Sequence, residues 1–273
     1  MESQLILIPQ TVAGNSAMLS RFDLTAHLTE HLPHLDGLFA ESLSGGRQFL
    51  KKLQRHIPIV VIDKKTPLDH IKHYLADAKG QTWAFVSDCG YPCIADPGST
   101  LVQQARSLQF KVHLFPGTSA ILGAITLSGI IFERFCFQGY LPRDSEPKKQ
   151  ALQHLEQISR GLPWQPDSPC LQVFIETPYR HQKMVTSCLD FLMPETLLCV
   201  ASEIGNEDQL IRTLTVKQWK IYINSHPEEE RVAVYMILAQ KAQIVQNRVE
   251  ARPLAKTQRR EKDMRPLCKF KKQ

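Results

Sequence analysis

Short apolar runs alternate with segments of helical period through the first half of the chain. Strands are predicted at residues 5–8, 37–40, 57–62, 83–87 and 111–115, each bounded by Gly, Pro or Asp. Between them, Thr66-Pro67 is expected to open a helix as cap and first helical residue, continuing with Leu68, Ile71, Leu75 and Ala78 at spacings of three and four. Asp96-Pro97 is expected to open another, with Leu101, Val102 and Ala105 on one face. After Pro116-Gly117 a small-residue helix is predicted over 118–128. Strands then follow at 135–140, 171–175, 197–201, 211–216 and 232–238 and outnumber helices. The expected architecture is α/β, with a mostly parallel N-terminal sheet and a mixed C-terminal one. The expected domains are 1–116 and 117–240, with 161–169 as a loop. Hydrophobic period is lost from Gln246 on, so 241–273 reads as a flexible basic tail.

Charge sharpens that division. The 273 residues carry 33 Lys and Arg against 27 Asp and Glu. Residues 241–273 hold 11 of the cations and 3 of the acids, so the body stands at 22 against 24. A near-neutral body with a basic appendage argues against a nucleic-acid wrapper and for an end able to touch a polyanion. At 43% hydrophobic and 22% charged residues, the composition excludes a disordered or fibrous chain. The seven cysteines are odd in number and several lie in apolar runs, which reads as reduced, buried thiols. With no charged-then-apolar leader before Leu5 and no apolar stretch near 18 residues, the expected location is cytoplasmic and away from membranes.

The candidate chemistry lies where strands end. SDCGYPCIADPG (residues 87–98) follows a buried strand with a Gly-containing turn. This puts polar groups and backbone at the carboxyl edge of a parallel sheet, where open α/β sheets bind ligands. Similar segments are PQTVAGN (9–15), PGTSA (116–120) and FIETPYR (174–180), with RFCFQGYLP at 134–142. Each alone is weak, and an isolated turn of this kind is more often a plain connection. Taken together, in their order and spacing along the chain, the five resemble the tetrapyrrole methylase superfamily, most closely its ribosomal RNA small subunit methyltransferase I branch, over roughly residues 5–238.

The resemblance implies two α/β domains with S-adenosylmethionine in the cleft between them, usually in a homodimer. It implies cofactor contacts at Pro9, at Ser87, Asp88, Cys89, Gly90 and Ile94, at Thr118, Ser119 and Ala120, and near Ile204. It also implies, as substrate, a cytidine 2'-hydroxyl of ribosomal RNA in the small ribosomal subunit. The other readings are a tetrapyrrole or other small-molecule acceptor, and a non-catalytic RNA- or nucleotide-binding relative. Where the branch carries E-D-T-R, this chain has ESLSGGR (41–47): Glu41 is kept, its acidic neighbour is lost and Arg47 is displaced. A His-Asn pair usual before the next helix is replaced by Asp63-Lys64-Lys65.

Methyl transfer to a hydroxyl needs alignment and a general base within hydrogen-bond reach. Glu41, Asp88 and Asp96 are the candidates. Glu41 comes first as a carboxylate closing a central strand, Asp88 reads equally as orienting the turn, and Asp96 equally as a helix cap. Arg180 at a helix start is a candidate phosphate contact, or merely solvated. His27, His31 and His34 lack a metal-site pattern and read as a polar helix face. Cys89 and Cys93, four apart with no second pair, read as small apolar substitutes, and no metal is expected.

Overall fold

The computed structural model describes residues 2–10, 30, 32, 34–161, 168–226 and 230–239. The chain divides into two units, Met1–Gln240 and Lys241–Gln273. The second, with the expected tail, lies outside the described residues, as do His27, His31, Thr11 to Asn15 and most of the 161–169 loop.

The first sheet is wholly parallel. Its strands are β1 (Gln4–Leu7), β2 (Gly37–Ala40), β3 (Ile59–Val61), β4 (Thr82–Val86) and β5 (Lys111–Leu114), in the order β3-β2-β4-β1-β5. Alternate residues point to opposite faces of a strand, so this sheet feeds two cores. Ile6, Leu38, Ala84 and Val86 pack with Phe49 and Leu50 of helix α1 (Leu43–Lys52) and with its cap Leu53. Leu5, Phe39, Trp83 and Phe85 pack on α2 (Leu68–Asp77) and α3 (Ser99–Ser107) through Ile71, Leu75, Leu101 and Ala105. Burial on both faces of β1, β2 and β4 is why these three strands read as continuous apolar runs.

The second sheet is mixed. It runs β6-β7-β10-β8-β9 over β6 (Arg134–Tyr140), β7 (Cys170–Glu176), β8 (Leu197–Ser202), β9 (Leu210–Thr215) and β10 (Ala233–Leu238). Only β6 and β7 pair in parallel. One face packs on α4 (Ala120–Leu127) through Ala124 and Ile125. The other packs on α5 (Ser145–Ser159), α6 (His181–Phe191) and α7 (Val216–Tyr222) around Phe174, Tyr235 and Trp219.

Three local expectations are corrected. The cap at residue 67 is Pro67, without a side-chain bond, and α2 begins at Leu68. The Thr66 hydroxyl instead donates to Asp63 and receives the Asp63 N–H, closing a turn ahead of the helix. The helix expected to open at Asp96-Pro97 begins at Ser99, capped by Gly98. Of the cysteines read as buried, Cys89 and Cys136 are exposed and Cys93 half-buried, whereas Cys170, Cys188 and Cys199 are buried. Cys136 lies on β6, an edge strand of the second sheet, beside the exposed Phe135.

Candidate active site at the carboxyl edge

Three loops leave the carboxyl edge of the first sheet and brace one another. After β1, the Gln10 N–H donates to the Gly90 carbonyl at 2.8 Å. The Tyr91 hydroxyl donates to the Gly117 carbonyl at 2.9 Å and accepts the Gly117 N–H at 3.2 Å. Gly117 lies against Pro9, where an added Cβ would stand 2.6 Å from the proline ring. The buried Ser87 hydroxyl donates within its own turn, toward the Cys89 and Gly90 carbonyls. Each loop thus holds its neighbours' backbone, and the edge is shaped before any ligand arrives.

The loop after β4 is also held in unusual backbone. Gly90 sits at φ 68° and Gly98 at φ 127°, but Cys93 and Ala95 also occupy the left-handed region, at φ 71° and 63°. Such positions cost a non-glycine residue about 1 kcal/mol or more each and persist only where surroundings over-determine them. The twisted path ends in Gly98, which caps α3 and frees Asp96 from a capping role.

Asp96 lines a cavity of about 170 Å³ instead. Its floor in the first half is Cys89, Gly90, Tyr91, Ile94 and Ala95. The opposing wall includes Ser119, Ala120, Tyr140, Glu176 and residues 232–234. A second cavity of about 360 Å³, lined by Thr118, Gly123, Ile204 and Gly205, shares Tyr91, Ser119 and Ala120 with the first. Ser119 caps α4, accepting the Leu122 N–H. Of the residues singled out from the sequence, Cys89, Gly90, Ile94, Ser119 and Ala120 line the first cavity and Thr118 and Ile204 the second. Pro9, Ser87, Asp88 and Glu41 line neither. Tyr140 and Glu176 were not singled out. Both lie in quoted motif segments, which was the available signal.

Glu41 and Asp88 form a unit behind the loop. Glu41 Oε2 accepts the Asp88 N–H at 3.1 Å, and the Ser42 hydroxyl donates to Asp88 Oδ1 at 2.7 Å while capping α1 through the Gly45 N–H at 2.9 Å. Gly45 permits this contact, since a Cβ there would lie 2.1 Å from Asp88 Oδ1. The two carboxylates thereby act on Asp96. Its pKa rises from 3.8 to about 6, first through desolvation and then through Glu41, with Asp88 adding and Lys64 opposing. Lys64 is anchored nearby, its Nζ donating to the Ala95 carbonyl at 2.8 Å. The Tyr140 phenol is pushed up by desolvation and by the negative field of Asp96 and Glu176.

Arg180 is neither a free phosphate contact nor solvated. Its guanidinium is only 16% exposed and pairs with Glu176, whose Oε1 also takes the Thr177 N–H at 2.7 Å. Among the described residues no group of three or more His, Cys, Asp or Glu could hold a metal ion.

No family model matches the chain. It is 28% identical over 160 residues to the ribosomal RNA small subunit methyltransferase I of Pseudomonas aeruginosa, covering 59% of this chain and 53% of the relative. It is 31% identical over 183 residues to the protein of that name from Synechocystis sp., covering 67% and 62%. The match thus spans between half and two thirds of the length of these relatives. Among solved structures it resembles the methyltransferase CobJ, with a TM-score of 0.53 at 14% identity over 87% of this chain and 95% of that one. It also resembles the cobalt precorrin-4 methyltransferase CbiF, with a TM-score of 0.50 at 12% identity over 86% and 94%.

Proposed function

For a chain with the tetrapyrrole methylase fold and sequence kinship to ribosomal RNA small subunit methyltransferase I, we propose an S-adenosylmethionine-dependent methyltransferase. Its acceptor is a cytidine 2'-hydroxyl of small-subunit ribosomal RNA, and its working domains are residues 1–116 and 117–240. The observation that carries the reading is Asp96, a carboxylate poised near neutrality on the wall of a cavity at the carboxyl edge. A group of that pKa is suited to take a proton at physiological pH.

The residues fit the cofactor. Nothing lies within 4 Å of where a Gly90 side chain would project, which leaves room for a ligand against the backbone. The adjoining cavities suit a small molecule. The negative field of Glu41, Asp88 and Asp96 favours a sulfonium cation. Pro9, Ser87, Asp88, Cys89, Gly90 and Ile94 with Thr118, Ser119, Ala120 and Ile204 form the cofactor region of this reading. When bound, S-adenosylmethionine supplies an electrophilic methyl group.

The chain's own residues do the rest. Asp96 accepts the proton of the acceptor hydroxyl. Tyr140, its phenol kept protonated, can donate a hydrogen bond from the opposite wall. Glu41 holds the loop through the Asp88 N–H and raises the basicity of Asp96, so it serves as a positioning residue. Fixed geometry supplies much of the rate in such a transfer.

The protein works in the cytoplasm as a homodimer in this reading. The large exposed side chains Leu114, Leu122, Leu127, Ile131 and Phe135 support a second copy as partner. No helix among the described residues is long and apolar enough to cross a membrane. The test is label transfer from S-adenosylmethionine to undermethylated small ribosomal subunits, with a porphyrinoid precursor alongside. Label in the subunit RNA is expected. Label only in the porphyrinoid, or none despite cofactor binding, overturns the acceptor.

A further inference from the structure

The body is near neutral, yet from Ser42 to Ile62 it carries Arg47, Lys51, Lys52 and Arg55 with His56 and not one Asp or Glu. These residues follow the candidate site directly, because Ser42 both caps α1 and bonds Asp88 in the loop. Down the far half of α1 and along the start of β3 opens a groove of about 640 Å³. Arg47, Lys51, Arg55 and His56 rim it, and Leu50, Ile57, Pro58 and Ile59 form its apolar floor. β3 is the edge strand of its sheet, so among the described residues no further strand closes this side. Arg47 and Lys51 are exposed and form no ion pair among the described residues. Arg55 is held by a bond from Nη2 to the Leu32 carbonyl at 3.3 Å, which fixes that corner of the rim.

Like charges repel one another, and Arg47 and Lys51, without an ion pair among the described residues, cost stability unless an anion satisfies them. Arg47 and Lys51 are also one turn apart on α1, so they stand side by side. The helix advances about 1.5 Å per residue. The rim therefore begins several ångströms from the Asp88 contact and runs away from it, as a polymer continuing past a reacting unit would. An apolar floor under a cationic rim suits sugar and base below, with phosphates above.

We propose that this groove binds the phosphate backbone of the RNA acceptor on the strand leading away from the methylated nucleotide. The proposal rests on the RNA reading above and assigns α1 a second role. At its N-terminus the helix holds the catalytic loop, and along its far half it holds the substrate strand. The distance between phosphate and reacting hydroxyl is then set by one rigid element.

The experiment measures binding of a small-subunit ribosomal RNA transcript to the full-length protein across a salt series. The double variant Arg47→Gln with Lys51→Gln is compared with Lys217→Gln with Lys220→Gln on α7, whose lysines are exposed and far in sequence. Two lost phosphate contacts to a single strand lower the slope of log K against log salt by about 1.4 and weaken binding roughly tenfold near physiological salt. The α7 variant keeps the parental slope. Cofactor affinity by calorimetry is unchanged, KM for RNA rises and kcat holds. Arg47→Lys with Lys51→Arg restores the slope, which separates charge from folding. A parental slope in the glutamine variant overturns the groove while leaving the RNA reading in place. A parent protein that binds no RNA at any salt overturns both.

Discussion

Glu41 and Asp88 lie 47 residues apart, yet Oε2 of the first accepts the backbone N–H of the second at 3.1 Å. The bond ties the end of β2 to the loop after β4, and it spends the Glu41 carboxylate on structure. Glu41→Gln keeps an acceptor oxygen in place but removes a charge that raises Asp96. The acid limb of the pH–rate profile is therefore expected to move to lower pH, with turnover on the plateau within about threefold of the parent. Loss of activity at every pH would make Glu41 the base instead.

Asp96→Asn is expected to lower kcat by about 10²- to 10⁴-fold, with cofactor affinity falling far less than turnover because Glu41 and Asp88 keep their charges. It is also expected to stabilise the fold. Between 3.8 and about 6 the folded chain binds a proton that the unfolded chain has released, so stability falls as pH rises through that window and the penalty is complete above it. The amide removes the penalty. Urea melts should show a gain of about 1–2 kcal/mol at neutral pH, allowing for solvent screening, and no gain below the unfolded pKa. Equal stability at neutral pH would contradict the raised pKa.

Gly90 lines the first cavity, and an added Cβ there would meet nothing within 4 Å. Gly90→Leu is expected to abolish cofactor binding in calorimetry while costing the fold about 1 kcal/mol for its left-handed φ. Unchanged cofactor affinity would move the site elsewhere.

Arg180, itself half-buried, supports the buried Glu176. Arg180→Met leaves that carboxylate, only 5% exposed, without its counter-charge, and a loss of about 3–5 kcal/mol is expected in denaturant unfolding. Adding Glu176→Gln should recover most of it. A loss equal in the single and double variants would mean the arginine acts through packing alone.

The central strands were legible because continuous apolar runs with Gly, Pro and Asp boundaries permit few alternatives; Gly37–Ala40 was read to the residue, and most others to within one or two. Helix α1 was not legible, because Gly45 and Gly46 lower helix propensity, and their reason, close approach to Asp88 and Ala40, is tertiary. Asp96 was misread as a cap because Asp-Pro ahead of an amphipathic segment carries that signal. Only the left-handed path through Cys93 and Ala95 moves the helix start to Ser99. Arg180 looked exposed because its partner sits on the strand before it, and Tyr140 and Glu176 meet Asp96 only where two sheets converge.

Cys93 and Ala95 bear on how quickly the site can be ready. Glycine in either place would ease the local geometry, but it would also enlarge the range of shapes the unfolded loop explores and the folded loop can drift among. Side chains there trade comfort for memory of a single shape. The protein carries, in two ordinary residues, a cost settled at folding, so that an arriving ligand finds the floor of its cavity already laid.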